Sequence, residues 1–270
     1  MLAAFAVYDW RMALFFLLGA ATSMAAARAT GARSEDVRAG VHGFCGALVG
    51  GAAFSALGAG IPAVVATILG GFACIPVTWL LARLFDSRPL RGFSLPTTTA
   101  PFCIVAGILL VLTQPVHRHA PALQNGTGEF TEKFLHATLA NVAQVVFVDS
   151  AFGGLLILIA LFLAHWKVGL AALLGAGLEV VFSLWLGEPR ALIYHGIEGY
   201  SGVLVAIALA AIFLSGTWQP WVMALAGAVV VVPVGMAVAA AGIPVYTWPF
   251  ILTTWLMLVI AKFIPGLQRA

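Results

Sequence analysis

Two short stretches that resemble each other decide how this sequence folds. Residues 95–102 read LPTTTAPF and residues 243–250 read IPVYTWPF, so both follow the pattern aliphatic-Pro-x-x-Thr-x-Pro-Phe. Upstream of each, residues 43–46 read GFCG and residues 199–202 read GYSG. Glycines, prolines and aromatic residues also stay in register between the two motifs, which chance matches between apolar segments do not produce. We therefore interpret the chain as an internal duplication, a common origin of membrane transport proteins.

The composition around these motifs is that of a membrane protein. Of the 270 residues, 62% are hydrophobic and 9% are charged, and the mean hydropathy is +1.06. A soluble domain of this size needs more charge on its surface. The 13 Lys and Arg residues sit mostly at the ends of apolar runs, as topology signals do, rather than on one face. The composition excludes a soluble enzyme and a nucleic-acid partner, and it predicts a chain embedded in the lipid bilayer.

Long apolar runs define the predicted spans, because a helix needs about 20 residues to cross the hydrocarbon core. We predict an all-α polytopic membrane protein with nine full transmembrane helices and one half-length pore helix at residues 134–147. The first transmembrane repeat covers residues 1–113, an external linker covers 114–133, and the second repeat covers 134–270. The nine runs are residues 12–29, 41–59, 61–85, 98–113, 151–165, 168–186, 197–214, 220–241 and 245–264.

Charge distribution orients these spans. If the loop with Arg28, Arg33 and Arg38 is cytoplasmic, most other cations also fall inside, and the C-terminus is cytoplasmic. A unit with an odd number of crossings places its second copy upside down, so we expect two inverted-topology repeats.

The start of the chain differs between the two repeats. Aligned on the second repeat, the first copy of the half-length helix would lie upstream of Met1, so we expect the first repeat to be N-terminally incomplete. If the first repeat were complete, the architecture would be ten full transmembrane helices plus two half-length helices. Either the start codon is placed too late or the chain is a shortened paralogue.

Polar and aromatic residues in the repeated motifs could line a passage. Gln144 and Phe147 are three residues apart and are predicted to share a helix face, with an amide beside an aromatic ring. Thr99 and Thr247 hold hydroxyl groups between two prolines at predicted helix starts. Each feature has a structural alternative: Gln144 could bond to a neighbouring helix, the threonines to their own helices, and the paired glycines could serve helix packing alone.

Other chemistry-bearing residues form no catalytic or metal-binding pattern. The six histidines lack metal-ligand spacing, and the three cysteines, Cys45, Cys74 and Cys103, lie in apolar stretches as core residues. Glu179 and Glu198 are interpreted as helix-packing or interfacial residues and Asp149 as structural. We predict no enzyme activity, no metal and no cofactor, and passage of a neutral solute.

In these motifs the sequence resembles the urea transporter family. The resemblance rests on residues 144–147, which read QVVF, on the two Gly-aromatic-x-Gly stretches and on the doubled Pro-x-x-Thr-x-Pro-Phe motif, and it covers nearly the whole chain. It implies a homotrimer in the cell membrane, the inner membrane of a bacterium, with one pore in each subunit. Urea or a similar small neutral solute would move down its gradient through a narrow aromatic slot beside a ladder of oxygen atoms.

The resemblance also implies which residues do this. The slot aromatics would be Phe44, Phe147 and Tyr200, with Leu48 and Leu204 one turn further along their helices. The ladder oxygens would come from Gln144, Thr99 and Thr247.

Two departures from the family keep other functions open. The first is in the slot, because Cys45 and Ser201 stand where the family commonly has Asn and Tyr200 stands where Phe is usual. This departure leaves open a channel for another small neutral amide, ammonia or water. The second is the incomplete start of the first repeat, which leaves open a truncated, non-transporting paralogue or membrane subunit.

Overall fold

Helices make up most of the computed structural model, which describes residues 4–5, 8–33, 35, 40–117 and 123–270. Arg38 and Arg118, which entered the charge distribution, and most of residues 1–7 lie outside the described residues. The chain divides into two compact units, residues 9–121 and residues 122–270 together with residues 1–8.

In the unit of residues 9–121, the structure gives the bounds of four apolar helices within the described residues. They are α1 (Trp10–Ala29), α2 (Phe44–Leu57), α3 (Ile61–Phe85) and α4 (Ala100–Thr113). Helix α2 packs against α1, α3 and α4, while α3 also contacts α1 and α4. Short 3-10 turns follow α3 at Arg91–Phe93 and α4 at Gln114–Val116.

In the other unit, residues 123–270 contain seven helices and one small sheet. The helices are α5 (Phe130–Gln144), α6 (Ala151–Ala164), α7 (Trp166–Leu186), α8 (Arg190–Tyr194), α9 (Tyr200–Ile207), α10 (Gln219–Ala240) and α11 (Trp248–Ala261). Helix α7 lies centrally and contacts α5, α6, α9 and α10. A π-helical turn, Ala208–Ile212, continues α9, and strands β1 (Leu214–Ser215) and β2 (Gln268–Arg269) pair antiparallel.

Helix α5 is the clearest difference from the sequence-based prediction. It begins at Phe130, inside the predicted linker, rather than at residue 134, and ends at Gln144 rather than at residue 147. Its first turn is polar and is stabilised by a capping box, in which Glu129 and Glu132 each accept a backbone amide of the other's turn. A search for apolar runs misses such a turn. Helix α8 and the strand pair were also not predicted.

The helices support a multi-pass membrane protein. Among the described residues, α1, α3, α7 and α10 are long and apolar enough to cross a membrane, and five further apolar helices are shorter. Large apolar side chains face outward, including Ile61 and Leu163, which are 80% and 83% exposed. Such a surface is unfavourable in water and favourable in lipid.

Equivalent positions of the two units adopt the same backbone conformation. Helices α4 and α11 each contain 14 residues and follow Thr99 and Thr247, whose φ angles are −94° and −93°. The preceding residues, Thr98 and Tyr246, both have positive φ angles, 46° and 35°. The doubled motif of the sequence thus corresponds to the same local structure, a turn that opens a short helix.

Glycines bring the backbones of neighbouring helices into contact in both units. A Cβ atom on Gly19 of α1 would lie 2.0 Å from the Gly46 carbonyl oxygen of α2. A Cβ atom on Gly175 of α7 would lie 2.4 Å from the Gly202 oxygen of α9. Small residues that allow such close approach are the usual basis of helix packing in membranes.

Replacing Gly19 with Ala therefore forces α1 and α2 apart. We expect Gly19→Ala to destabilise the protein by about 1–3 kcal/mol, the usual cost of overpacking, and to lower the unfolding temperature in detergent. Gly107→Ala in α4 is the matched control, because no described atom lies within 4 Å of its Cβ position. Equal unfolding temperatures for the two variants would contradict the close contact.

Candidate functional site

The end of α5 places an amide and an aromatic ring in one tight turn. Gln144 is the last residue of the helix, and the Phe147 amide donates to the Gln144 carbonyl at 3.0 Å. Phe147 has a φ angle of 59°, a left-handed conformation that costs about 1–3 kcal/mol in a non-glycine residue. The two residues therefore meet in a turn, rather than on one helix face as the sequence predicted.

Hydrogen bonds fix the direction of the Gln144 amide. Its Nε2 donates to the backbone carbonyl of His195 at 3.3 Å. The His195 ring is itself held, because Nδ1 lies 2.9 Å from an oxygen of Asp149 and Nε2 lies 3.2 Å from the Gln124 carbonyl. Because the NH₂ group of Gln144 is already engaged, its side-chain oxygen is the atom that can accept a hydrogen bond from a solute.

Tyr200 connects the start of α9 to the start of α11. Gly199 is the N-cap of α9, and Tyr200 follows as the first helical residue. The Tyr200 hydroxyl donates to the carbonyl of Tyr246, the residue before Thr247. Helix α9 contacts both α5 and α11, so it connects the helix that ends at Gln144 with the helix that follows Thr247.

The other unit holds the remaining predicted residues in a similar arrangement. Phe44 opens α2 and is 43% exposed, Leu48 lies one turn further, and Thr99 is the buried N-cap of α4. The Cys45 thiol donates to the Thr98 carbonyl at 3.8 Å. In both units, therefore, a side chain from the Gly-x-x-Gly helix start bonds to the carbonyl before the motif threonine. Cys45 and Tyr200 are two of the positions named above as departures from the resemblance.

The motif threonines occupy the same place in each unit. Thr99 and Thr247 are 8% and 4% exposed, and neither hydroxyl caps the amides of its own helix.

Two buried polar residues, Glu179 and Asn141, form hydrogen bonds between helices that the sequence did not predict. Glu179 of α7 is 1% exposed, and its Oε2 accepts the Gly202 amide at 2.5 Å. That amide belongs to the first turn of α9, whose donors have no partner within the helix. Asn141 of α5 is fully buried and donates to the Ala176 carbonyl of α7 at 3.1 Å. The only sequence signal for either role was a polar residue inside an apolar span.

The side chains at the predicted site positions carry no charge. They are hydroxyls, one amide, aromatic rings and leucines. Two carboxylates lie nearby, and each has a partner: Asp149 is paired with His195, and Glu179 accepts the Gly202 amide. In the described part of the chain, no group of three or more His, Cys, Asp or Glu residues could hold a metal ion.

Comparisons with known proteins find similarity to urea transporters. The family model described as "UT: Urea transporter" matches residues 1–262. Urea transporter 1 of Ovis aries is 30% identical over 141 residues, which are 51% of this chain and 37% of that protein. Urea transporter 1 of Mus musculus is 28% identical over 197 residues, 68% of this chain and 51% of that protein. The chain spans about half the length, or less, of these curated relatives.

The bond between Glu179 and Gly202 can be tested by paired substitutions. We expect Glu179→Leu to destabilise the protein by about 1–3 kcal/mol, because it leaves the buried Gly202 amide without an acceptor. Glu179→Gln keeps an oxygen at the same position and should retain most of the stability. Thermal unfolding in detergent measures both variants, and equal losses would show that the hydrogen bond does not contribute.

Proposed function

We propose that this chain, which belongs to the urea transporter family, conducts urea passively across a membrane. That family is one of transporters, not of enzymes. The observation that carries the proposal is the Gln144 amide, held by its NH₂ end at the tip of a short helix beside Phe147.

The chemistry of urea fits the residues that we assign to its path. Urea is flat and uncharged, with N–H donors on two sides and one carbonyl, so it needs acceptors along an edge and apolar walls against its faces. We assign the acceptors to Gln144, Thr99 and Thr247. The walls are Phe44, Phe147 and Tyr200, with Leu48 and Leu204 one turn beyond. A series of acceptors along the path replaces the hydrogen bonds to water that urea loses, while no single acceptor binds urea tightly.

Passive movement fits the charges of the chain better than coupled transport does. A proton or sodium relay needs a series of carboxylates at membrane depth. Glu179 is instead engaged with the Gly202 amide, and Asp149 is paired with His195. We therefore propose a channel-like path driven by the urea gradient alone.

We also propose an architecture for the whole assembly. It contains two inverted-topology repeats, nine full spans and the half-length helix α5, with an external linker and a cytoplasmic C-terminus. The repeated backbone geometry at Thr99 and Thr247 supports the duplication, and the cations at helix ends support the orientation. Family membership supports a homotrimer with one pore per subunit, in the cell membrane, as the inner membrane of a bacterium.

Removing the Gln144 amide tests the path directly. We expect Gln144→Leu to slow urea entry into proteoliposomes about tenfold, since one lost hydrogen bond of about 1.4 kcal/mol corresponds to that factor. Stopped-flow light scattering measures the rate. Gln268→Leu, at an exposed position of β2, is the matched control and should leave the rate unchanged. Wild-type flux no higher than in empty vesicles would refute the proposed function, and an unchanged rate in Gln144→Leu would refute the role of this residue.

Tyr200 should set the width of the slot. Its hydroxyl holds the ring against the Tyr246 carbonyl, so Tyr200→Phe releases the ring and favours larger solutes. We expect the permeability of thiourea and acetamide, relative to urea, to rise severalfold in this variant. The same measurements on the wild type, extended to water and ammonia, show whether another small neutral solute is preferred. A constant ratio among solutes would mean that Tyr200 does not line the path.

A further inference from the structure

A cavity lies in the unit of residues 122–270, away from the residues assigned to the urea path. It lies among the first turns of α5, the end of α7 and helix α8, and its volume is about 360 Å³. This volume falls in the range of small-ligand sites. Its floor is apolar and contains the buried residues Ala137, Val180 and Ile193, while Lys133 and Arg190 line it from exposed positions.

The two cations at this cavity are not neutralised by the protein. Within the described part of the chain, neither Lys133 nor Arg190 takes part in an ion pair, whereas Arg11 is paired with Asp9 and His195 with Asp149. The carboxylate nearest to Lys133 in sequence, Glu132, turns back to accept the Glu129 amide. Two positive charges beside an apolar floor therefore remain available to a ligand.

Exposed aromatic residues give the depth of this cavity in the membrane. Trp185 in the last turn of α7 is 75% exposed, and Phe130 at the first residue of α5 is 71% exposed. Helix α7 is long enough to cross the bilayer, and Trp at the ends of such helices marks the headgroup level. Lys133 and Arg190 therefore lie near the depth of the lipid phosphates.

We propose that this cavity binds an anionic phospholipid, with the phosphate between Lys133 and Arg190 and the first part of an acyl chain against Val180 and Ile193. A basic pocket between membrane helices is suited to an acidic headgroup. The apolar floor favours a lipid over a free anion, because a free anion would leave that floor exposed. The bound lipid would join the start of α5 to α7 and α8 and so stabilise the unit that carries Gln144. This inference does not depend on which solute the protein conducts.

Thermal unfolding of the purified protein in a neutral detergent tests the proposal. We expect added phosphatidylglycerol to raise the unfolding temperature by about 3 °C or more, and phosphatidylcholine to have much less effect. The double variant Lys133→Gln, Arg190→Gln should lose this preference. The matched control, Arg83→Gln with Arg88→Gln, removes two exposed cations of α3 and the following turn and should keep it.

Four results would overturn the proposal. The first is an equal rise in unfolding temperature with the two lipids, and the second is a phosphatidylglycerol effect that survives in the Lys133/Arg190 variant. The third is loss of the phosphatidylglycerol effect in the control variant. The fourth is an equal rise with inorganic phosphate, which would indicate a site for a free anion. Native mass spectrometry of the wild type gives a measure that needs no variant. At least one phosphatidylglycerol should remain bound per chain in preference to phosphatidylcholine, and no preference would also overturn the proposal.

Discussion

A helix that begins or ends at membrane depth needs hydrogen-bond partners for its terminal amides and carbonyls, because bulk water cannot supply them there. This chain has several short helices, and specific side chains meet that requirement at their ends. Glu179 accepts the Gly202 amide in the first turn of α9. The Gln144 amide donates to the carbonyl of His195, the C-cap of α8. The positions that we assign to urea lie at or one turn from these helix ends, so their geometry depends on how the ends are satisfied.

Close backbone packing occurs at the starts of α2 and α9. Gly19 and Gly46, like Gly175 and Gly202, allow backbone contact that any larger residue would prevent. The turns between the helices carry backbone strain, since Thr98, Phe147 and Tyr246 all have positive φ angles. Such conformations persist only where the surrounding structure holds them, and they are common at functional sites.

Much of this structure could be predicted from the sequence, because apolar length and proline position are local signals. The third apolar run, residues 61–85, coincides with helix α3, Ile61–Phe85. The doubled motif correctly placed the starts of α4 and α11. The polar first turn of α5 was missed because its capping box is not apolar. The bonds from Cys45 to Thr98 and from Tyr200 to Tyr246 join residues far apart in the chain, and no sequence pattern specifies such partners.

The central claim is that these helix ends form a path for a flat, uncharged solute. Guanidinium tests it most directly, since it has nearly the shape of urea and carries a full positive charge. Proteoliposomes should admit urea faster than empty vesicles do, whereas guanidinium should enter no faster than into empty vesicles, because none of the side chains assigned to the path carries a charge that would replace its hydration. Guanidinium entry at a rate close to that of urea would contradict the account.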